Sequence, residues 1–381
     1  MKTCILHVSL NPIGGGERVV LEMVKALKDI GAEPLLILLE PPKNPLLHEF
    51  LEEIRSTRVL WLFDSRRPIT LKHAVGSFNA RFLRLLKKLD CNLLINATGL
   101  YSIVLGDITY VHWPFHLDLS STFRNFGEKI YGSLMLEFAD AVNALMEPKF
   151  IAYNSKLTFR RTMEVMKTLR PAIPVTYFKF NNATHTILYP PVNVERIVRH
   201  AKPDLKEDLV VTLSRIDSRK RLEMLLPIAK EVLQEKPHTS FIILGALNDP
   251  EYFQALKSLF ERKSVNVRFA INTPEKEKLR ILSRAKVLLH LMPFEHFGIA
   301  IVEGMAAGAI PIVHRECGVS EFIDDEYLYS SYREVPGKIL RALNIYDTHL
   351  AKKFMEMAMR FDAKVFRTKF ISLYNKLVSN R

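Results

Sequence analysis

The chain has 381 residues, of which 48% are hydrophobic and 25% are charged. This length accommodates two domains, and the composition is that of a globular protein rather than a disordered or fibrous one. The sequence contains no run of apolar residues long enough to predict a transmembrane helix. The formal net charge of +13 predicts an anionic partner: a membrane surface, a nucleic acid or a phosphorylated substrate.

The cysteines and the first residues favour a cytoplasmic protein. Cys4, Cys91 and Cys317 are too widely spaced to predict a metal cluster. Cys4 and Cys91 enter or flank apolar strands, so we expect buried thiols. Residues 1–8 lead directly into a strand and lack the apolar core and cleavage site of a signal peptide. A reducing environment is the resulting expectation.

A glycine-rich turn opens the first half of the chain. A predicted strand over 3–10 passes through residues 11–16 into a predicted helix over 17–30. Doubly wound folds bind phosphate or sugar ligands at such a first turn. Gly15 and Gly16 are therefore predicted to let a ligand approach the backbone, although the glycines can also serve the turn alone.

The rest of this half continues the alternation of strands and helices. Strands are predicted at 33–39, 58–63, 92–96, 108–112, 150–153 and 185–189, and helices at 46–55, 71–89, 129–146 and 156–169. Helix 71–89 is basic with one apolar side, which predicts either contact with an anionic membrane or packing on the sheet. His112 ends a strand beside Trp113 and Phe115, at the edge where open sheets bind ligands. It is a candidate ligand residue, with a structural histidine as the alternative.

The second half restarts the same pattern after a boundary rich in proline and charge near residues 190–204. Strands are predicted at 209–213, 240–244, 265–270, 287–291 and 310–314, with helices beginning near residues 222, 249, 274 and 298 and a helical region after residue 329. The alternation in both halves predicts an α/β protein with two Rossmann-like, doubly wound parallel-sheet domains facing across a cleft.

The most informative stretch is residues 294–308, which joins two predicted strands through a loop and a helix. The helix begins near Gly298, and its first N–H groups and its dipole suit a phosphate or diphosphate. Glu295 and Glu303 flank this position with seven residues between them. Because carboxylates repel the anion itself, we expect them to accept hydrogen bonds from ribose and sugar hydroxyls.

Two cations follow the first strand of the second half. Arg215 offers a planar fork and Lys220 a point charge, and together they would neutralise a diphosphate. The alternative is a solvated charge cluster on a loop. Their presence in the same domain as residues 294–308 favours a single anion site.

These residues resemble glycosyltransferase family 4, which has the GT-B fold. The resemblance is carried by Glu295, Phe297, Gly298, Glu303, the Met-Ala-Ala-Gly at 305–308, Arg215, Lys220 and the Tyr-Pro-Pro-Val at 189–192. Within the family, residues 14–18, 110–114 and 295–299 resemble the dolichol-pathway α-1,2-mannosyltransferase branch. The sequence departs from the family pattern at residues 317–319, where Gly-Gly-Pro is usual, and at Ser214, where glycine is frequent.

The resemblance implies a retaining transfer of a hexose from a nucleotide sugar, a GDP- or UDP-hexose with GDP-mannose as the best candidate, to a lipid-linked oligosaccharide or other glycan. Glu303 would bind the ribose, Glu295 the hexose, and Arg215 and Lys220 the leaving diphosphate. The implied catalytic residues are His112, Glu295, Arg215 and Lys220. The implied donor-binding residues are Gly15, Gly16, Arg215, Lys220, Glu295, Phe297, Gly298, Ile299 and Glu303.

The resemblance also sets the expected organisation. Residues 1–198 would form the acceptor-side domain and 199–360 the nucleotide-sugar domain. Residues 361–381 would form a helix that crosses back to the first domain, or that only caps the second. The sequence has no Asp-x-Asp motif, so we expect neither a metal nor another cofactor.

The expected location is peripheral, on the cytoplasmic face of an anionic membrane, without nucleic acid as a partner. Two other functions stay open. A basic nucleic-acid-binding α/β protein is supported by the net charge but by no recognised binding motif. A non-catalytic GT-B scaffold would keep the fold without the reaction.

Overall fold

The computed structural model describes residues 1–11, 14–41, 52, 56–62, 82, 84–89, 91–98, 105–114, 136–137 and 140–379. The chain divides into two compact units, the first comprising Met1–Pro191 with Lys364–Arg381 and the second Val192–Ala363. The predicted helix 46–55 apart from residue 52, most of helix 71–89, the first part of helix 129–146 and Phe115 lie outside the described residues.

Each unit contains one parallel β-sheet, which confirms the predicted fold class. The strands are β1 (Lys2–His7), β2 (Glu33–Leu38), β3 (Arg58–Trp61), β4 (Leu93–Asn96), β5 (Ile108–Val111), β6 (Phe150–Tyr153), β7 (Thr184–Ile187), β8 (Glu207–Leu213), β9 (Ser240–Gly245), β10 (Arg268–Ile271), β11 (Ala285–Leu289), β12 (Ile310–His314) and β13 (Leu328–Tyr329). The sequence analysis missed β13, which has two residues.

Helices accompany both sheets. Those described are α1 (Gly15–Asp29), α2 (Lys156–Leu169), α3 (Pro174–Asn182), α4 (Val194–His200), α5 (Leu225–Glu235), α6 (Pro250–Arg262), α7 (Glu275–Arg284), α8 (Ile299–Ala306), α9 (Val335–Ile345), α10 (Thr348–Met359) and α11 (Ala363–Ser379). None of the helices within the described part of the chain is both long and apolar enough to span a membrane.

The first sheet has seven strands in the order β3-β2-β1-β4-β5-β6-β7. Cys4 on β1 pairs with Leu35 on β2 and with Leu94 on β4, so β1 lies inside the sheet. The chain order of the strands reverses between β1 and β4. In open parallel sheets this reversal leaves a crevice at the carboxyl ends of the strands, where ligands bind.

The last helix, α11, belongs to the core of the first unit. Its residues Phe366 and Phe370 share a buried apolar cluster with Val24 on α1. Its Tyr374 hydroxyl lies 2.7 Å from the Thr3 hydroxyl on β1. Helix α11 is thereby held to the first unit by apolar burial and by a buried polar contact.

The second sheet has six strands in the order β10-β9-β8-β11-β12-β13. Its order reverses between β8 and β11, which are adjacent and parallel. The fully buried strand residues, among them Val211, Leu289 and Ile312, account for the continuous apolar runs in the sequence. The ligand crevice of this unit is therefore expected after β8 and β11.

Cys4 and Cys91 form a disulfide, so the expectation of two buried thiols was wrong. Cys91 lies two residues before β4, the neighbour of β1, and the two Cα atoms are 5.9 Å apart. That separation is typical of disulfides. The sequence did not indicate the pair because 87 residues separate the two cysteines. The inference of a reducing environment from free thiols loses its basis.

Candidate active site

Lys220 and Glu295 meet at the point where the second sheet reverses its order. Lys220 ends a short 3-10 turn after β8, and Glu295 lies in the loop between β11 and α8. The loops after two adjacent parallel strands emerge at the same edge of the sheet. The Lys220 Nζ lies 2.7 Å from the Glu295 Oε2, and the two side chains are only 15% and 18% exposed. The structure therefore brings together two residues that the sequence placed in one site.

His290 completes this cluster, and the sequence analysis did not identify it. It directly follows β11, its side chain is 5% exposed, and its Nε2 lies 3.2 Å from the Glu295 Oε2. Burial acts to raise the pKa of the Glu295 carboxyl, but the charge of Lys220 and the contact with His290 outweigh it and hold that pKa well below its usual range. The sequence does contain a signal for His290, since it is a polar residue inside an apolar run and lies at the carboxyl end of the predicted strand.

Arg215 lies in the loop that also contains Lys220. Its guanidinium is exposed, and Nη2 is 3.9 Å from the Oδ2 of the buried Asp217. Asp217 also accepts a hydrogen bond from the Arg219 N–H, at 3.2 Å, and so caps the turn Ser218–Lys220. Asp217 thus shapes the loop that carries both cations, while contact of Arg215 with a diphosphate stays a prediction.

Helix α8 begins after Gly298, as predicted. Gly298 has φ 106°, and a Cβ at this position would lie 2.5 Å from the Ile301 Cδ1. The positive φ favours glycine, and a Cβ would also force the Ile301 side chain to shift. The N–H groups of Ile299 and Ala300 open the helix and have no acceptor within it, which makes this end suited to an anion. Contact of a nucleotide-sugar donor with this helix end and with Phe297 stays a prediction.

The loop before α8 is fixed by residues 317–319, where the sequence departs from the family pattern. The Gly318 N–H donates to the Glu295 carbonyl at 2.8 Å, and the Val319 N–H donates to the Phe297 carbonyl at 2.9 Å. A Cβ on Gly318 would lie 2.1 Å from the His296 carbonyl oxygen. Of the usual Gly-Gly-Pro this sequence keeps only the second glycine, Gly318, and the close approach of the two backbone segments requires a glycine at that position.

Glu303, the predicted ribose ligand, lies on α8 and is buried. Its Oε1 is 3.2 Å from the Nζ of Lys278 on α7, which also lies 3.1 Å from Glu275. Lys278 therefore orients Glu303 and balances its charge. Sequence reasoning missed Lys278 because a different helix supplies it. Contact of Glu303 with ribose stays a prediction.

His112 and Gly16 come together in the first unit, near the reversal between β1 and β4. A Cβ on Gly16 would lie 3.5 Å from the His112 Cε1 and 3.6 Å from the His7 Cε1. The His112 Nε2 and the His7 Nδ1 lie 3.2 and 2.9 Å from the same acceptor, the Ala97 carbonyl oxygen. A side chain at position 16 would therefore contact both imidazole rings.

Glu17 adds a carboxylate to this group, and neither it nor His7 was identified from the sequence. Its Oε1 is 3.6 Å from the His7 Nε2, and its Oε2 accepts a 2.6 Å hydrogen bond from the Gly14 N–H. Burial acts to raise the Glu17 pKa, but the contact with His7 outweighs it and the pKa is lowered. Gly15 is the first residue of α1, two residues earlier than predicted. That this group and the Lys220 cluster serve one reaction stays a prediction.

Residues 193–344 match the family model described as glycosyl transferases group 1. A GDP-Man:Man(3)GlcNAc(2)-PP-Dol alpha-1,2-mannosyltransferase of Dictyostelium discoideum is 25% identical over 214 residues, or 51% of this chain and 42% of that protein. The Homo sapiens protein of the same name is 27% identical over 228 residues, or 53% and 46%. The chain spans less than half the length of either relative.

Solved structures resemble the chain over its whole length. Sucrose-phosphate synthase from Thermosynechococcus elongatus superposes with a TM-score of 0.73 at 16% identity and covers 100% of both chains. The Anabaena protein HepE, in complex with UDP and glucose, gives 0.67 at 15% identity and covers 99% of this chain and 100% of its own. These likenesses confirm the GT-B fold. The family match shows that the second unit contains a glycosyl transferases group 1 domain over residues 193–344.

Proposed function

We propose that this chain is a retaining glycosyltransferase that moves a hexose, mannose from GDP-mannose, to a lipid-linked oligosaccharide. The observation that carries the proposal is the contact of Lys220 with Glu295, in the loop that leads into α8, at the reversal of the second sheet. Doubly wound folds bind nucleotides at that place. The names of the mannosyltransferase relatives support the donor and the acceptor.

The cations and the helix end are proposed to hold the diphosphate. Transfer leaves negative charge on the departing diphosphate, and fixed positive groups that stabilise this charge lower the barrier. Such groups are supplied by the side chains of Lys220 and Arg215 and by the backbone N–H groups of Ile299 and Ala300. Within the described residues, no cluster of three or more His, Cys, Asp and Glu residues is placed to hold a metal ion. The predicted independence from metal stays a prediction, tested by transfer in the presence of a chelator.

The carboxylates are proposed to bind hydroxyl groups. Glu303 would accept hydrogen bonds from the ribose, and Glu295 from the hexose. Lys278 and His290 keep these partly or fully buried carboxylates oriented before the donor arrives. His112 and Gly16 are proposed to contact the donor sugar and its phosphate, as the family resemblance implies.

The acceptor proposal implies contact with a membrane, and one surface of the first unit suits it. Leu145 and Phe178 are 74% and 66% exposed, and Val175 is also exposed. Val175 and Phe178 lie one turn apart on the same side of α3. The Lys179 Nζ bonds the carbonyls of Ala144 and Met146, at 3.0 and 2.5 Å, which places Leu145 beside this helix. An exposed apolar surface of this kind matches the interface of a bilayer, and the net charge of +13 favours an anionic one.

We further propose that this contact is peripheral and on the cytoplasmic face. The resemblance to the dolichol-pathway branch supports the face. The Cys4–Cys91 bond weighs against a reducing compartment, because disulfides persist mainly in oxidising ones. Alkylation of free thiols in protein isolated under acid quench tests the point, and alkylation of only Cys317 argues against the cytoplasm.

Transfer assays test the function. Wild-type protein is incubated with GDP-mannose, UDP-glucose or UDP-N-acetylglucosamine and a lipid-diphosphate-linked acceptor, and nucleotide release is measured with and without the acceptor. Acceptor-dependent release of GDP from GDP-mannose is expected, with loss of both transfer and donor binding in Glu303→Ala. Release of UDP from a UDP sugar without release of GDP from GDP-mannose would contradict GDP-mannose as the donor. No nucleotide release from any of the three sugars would favour the non-catalytic scaffold.

A further inference from the structure

The Lys220–Glu295 pair creates a problem for donor binding that His290 can solve. The Lys220 ammonium lies 2.7 Å from the Glu295 carboxylate. Our proposed function assigns the same ammonium to the donor diphosphate, and this inference rests on it. When the ammonium turns towards the diphosphate, the carboxylate loses its nearest partner. A poorly exposed carboxylate without a partner is strongly destabilised.

His290 is placed to take over. Its ring is buried, and Nε2 lies 3.2 Å from the same carboxylate oxygen, Oε2, that Lys220 contacts. Among the described residues, this nitrogen has no hydrogen-bond partner of good geometry. A buried imidazole nitrogen that faces a carboxylate at this distance gains a full hydrogen bond from a small rotation of the carboxylate.

The backbone holds His290 while the two charged side chains exchange partners. The His290 N–H donates to the Ile312 carbonyl at 2.9 Å, and its own carbonyl accepts from the Tyr329 hydroxyl at 2.9 Å. Because its N–H and its carbonyl are both hydrogen-bonded, the backbone of His290 is fixed and the ring keeps its position. Lys220, by contrast, ends a short turn and carries its ammonium on a flexible four-carbon stem, so the ammonium can reorient while the backbone stays in place.

We propose that His290 is a positioning residue that becomes the main partner of Glu295 when Lys220 moves to the donor diphosphate. His290 thereby lowers the cost of releasing Lys220, and it keeps Glu295 aimed at the position of the hexose. The dependence on His290 is greatest with GDP, which has no sugar. With GDP-mannose, the hexose hydroxyls supply Glu295 with additional donors.

Calorimetric titration with GDP tests this inference in a double-mutant cycle. His290→Phe removes the nitrogen, and we expect GDP to bind roughly tenfold more weakly because the carboxylate is left unpaired. In a Glu295→Gln background there is no charge to leave behind. There, His290→Phe should change GDP affinity by about twofold or less, within the additivity expected of independent sites. A structural role alone does not produce this dependence on Glu295.

Further variants guard against misfolding. His290→Gln keeps an N–H near the Nε2 position and should restore most of the affinity, whereas the shorter His290→Asn should behave like His290→Phe. His185→Phe, which removes a partly buried imidazole of the first unit bonded to Tyr153, should leave GDP affinity unchanged.

The outcomes separate this inference from the proposed function. If wild-type protein binds GDP but His290→Phe and His290→Asn bind it equally well, the exchange of partners is wrong and the proposed function stands. The exchange is also wrong if His290→Phe weakens GDP binding by the same factor in both backgrounds. If wild-type protein binds neither GDP nor UDP, the proposed function fails and this inference fails with it.

Discussion

Lys278 and Glu303 form an ion pair between helices α7 and α8, with the Nζ 3.2 Å from the Oε1. Both side chains are largely shielded from water, so the lysine stabilises the charged carboxylate and helps to orient it. We predict that Lys278→Met weakens GDP binding roughly tenfold, because a buried carboxylate loses a charge-assisted contact. Isothermal titration with GDP measures the change.

Lys276→Met is the matched control for this prediction. Lys276 lies on the same helix, two residues earlier, and is exposed. It should bind GDP like the wild type, because an exposed lysine contributes little to a site that it does not contact. Equal affinities for Lys276→Met and Lys278→Met would show that the Lys278 ion pair does not support nucleotide binding.

Gly318 fixes the loop that carries Glu295, and its substitution should damage both the fold and the site. In Gly318→Ala the new methyl would lie 2.1 Å from the His296 carbonyl oxygen, so the loop must shift. We predict a loss of about 1–3 kcal/mol in the free energy of unfolding, the usual cost of overpacking, together with loss of transfer. Urea denaturation and the transfer assay measure the two effects.

Gly337→Ala provides the opposite control. Gly337 lies in α9, and a Cβ there would meet nothing within 4 Å. It should stabilise the protein by about 0.5–1 kcal/mol through helix propensity and leave transfer unchanged. A Gly318→Ala protein as stable and active as this control would refute the close approach.

The outline of the site could be predicted because it follows from local patterns and from the reversal of strand order. Two apolar runs, each followed by polar residues, predicted the strands that precede Lys220 and Glu295. Gly298 marked the start of α8 because only glycine adopts φ 106° without strain. Once the two strands are known to be adjacent, the meeting of Lys220 with Glu295 follows.

The partners of these residues could not be predicted, because they depend on packing between elements distant in the sequence. Lys278 reaches Glu303 from a separate helix. His290 reads as part of a strand, and only the structure shows its ring facing Glu295. Cys4 and Cys91 meet because β1 and β4 are neighbours, which their spacing does not reveal. Sequence patterns locate positions along elements, whereas tertiary packing decides which side chains meet.

Leu145 and Phe178 should control binding to membranes. We predict that Leu145→Glu/Phe178→Glu binds vesicles containing phosphatidylserine at least tenfold more weakly, because each apolar side chain contributes roughly 1.5–3 kcal/mol when it leaves water. Co-sedimentation at fixed salt measures the change. Leu205→Glu is the control, since Leu205 is similarly exposed but belongs to the second unit.

Two outcomes would contradict this prediction. Equal loss of vesicle binding in the control would indicate a general effect of added negative charge. Wild-type binding to duplex DNA that exceeds binding to vesicles at the same salt would instead favour the nucleic-acid alternative.

Lys206 links the ends of two helices and should make stability depend on pH. Its Nζ donates to the carbonyls of Leu282 on α7, at 3.1 Å, and of Ala307 after α8, at 2.6 Å. Burial lowers its pKa to about 7, whereas an unfolded lysine has a pKa of about 10.4. A neutral amine keeps two N–H donors, which is enough for the two carbonyls.

The sign of the effect follows from proton binding. Between pH 7 and about 10, the unfolded chain holds a proton on Lys206 that the folded protein has released, so the free energy of unfolding rises with pH across this window. Below pH 7 both states are protonated, and the folded protein bears the full cost of the buried charge. In Lys206→Met this contribution is absent. We therefore expect the urea midpoint of wild type minus that of Lys206→Met to increase from pH 6.5 to pH 9.5.

Lys202→Met, at an exposed lysine four residues earlier, controls for the titration of all other groups. Its midpoint should stay parallel to that of the wild type, because an exposed lysine does not lose its contact with water on folding. A difference between wild type and Lys206→Met that is constant with pH, or that shrinks as pH rises, would show that Lys206 stays charged in the folded protein. The two helix-end carbonyls would then outweigh its burial, since a cation at the carboxyl ends of helices is favoured by their dipoles.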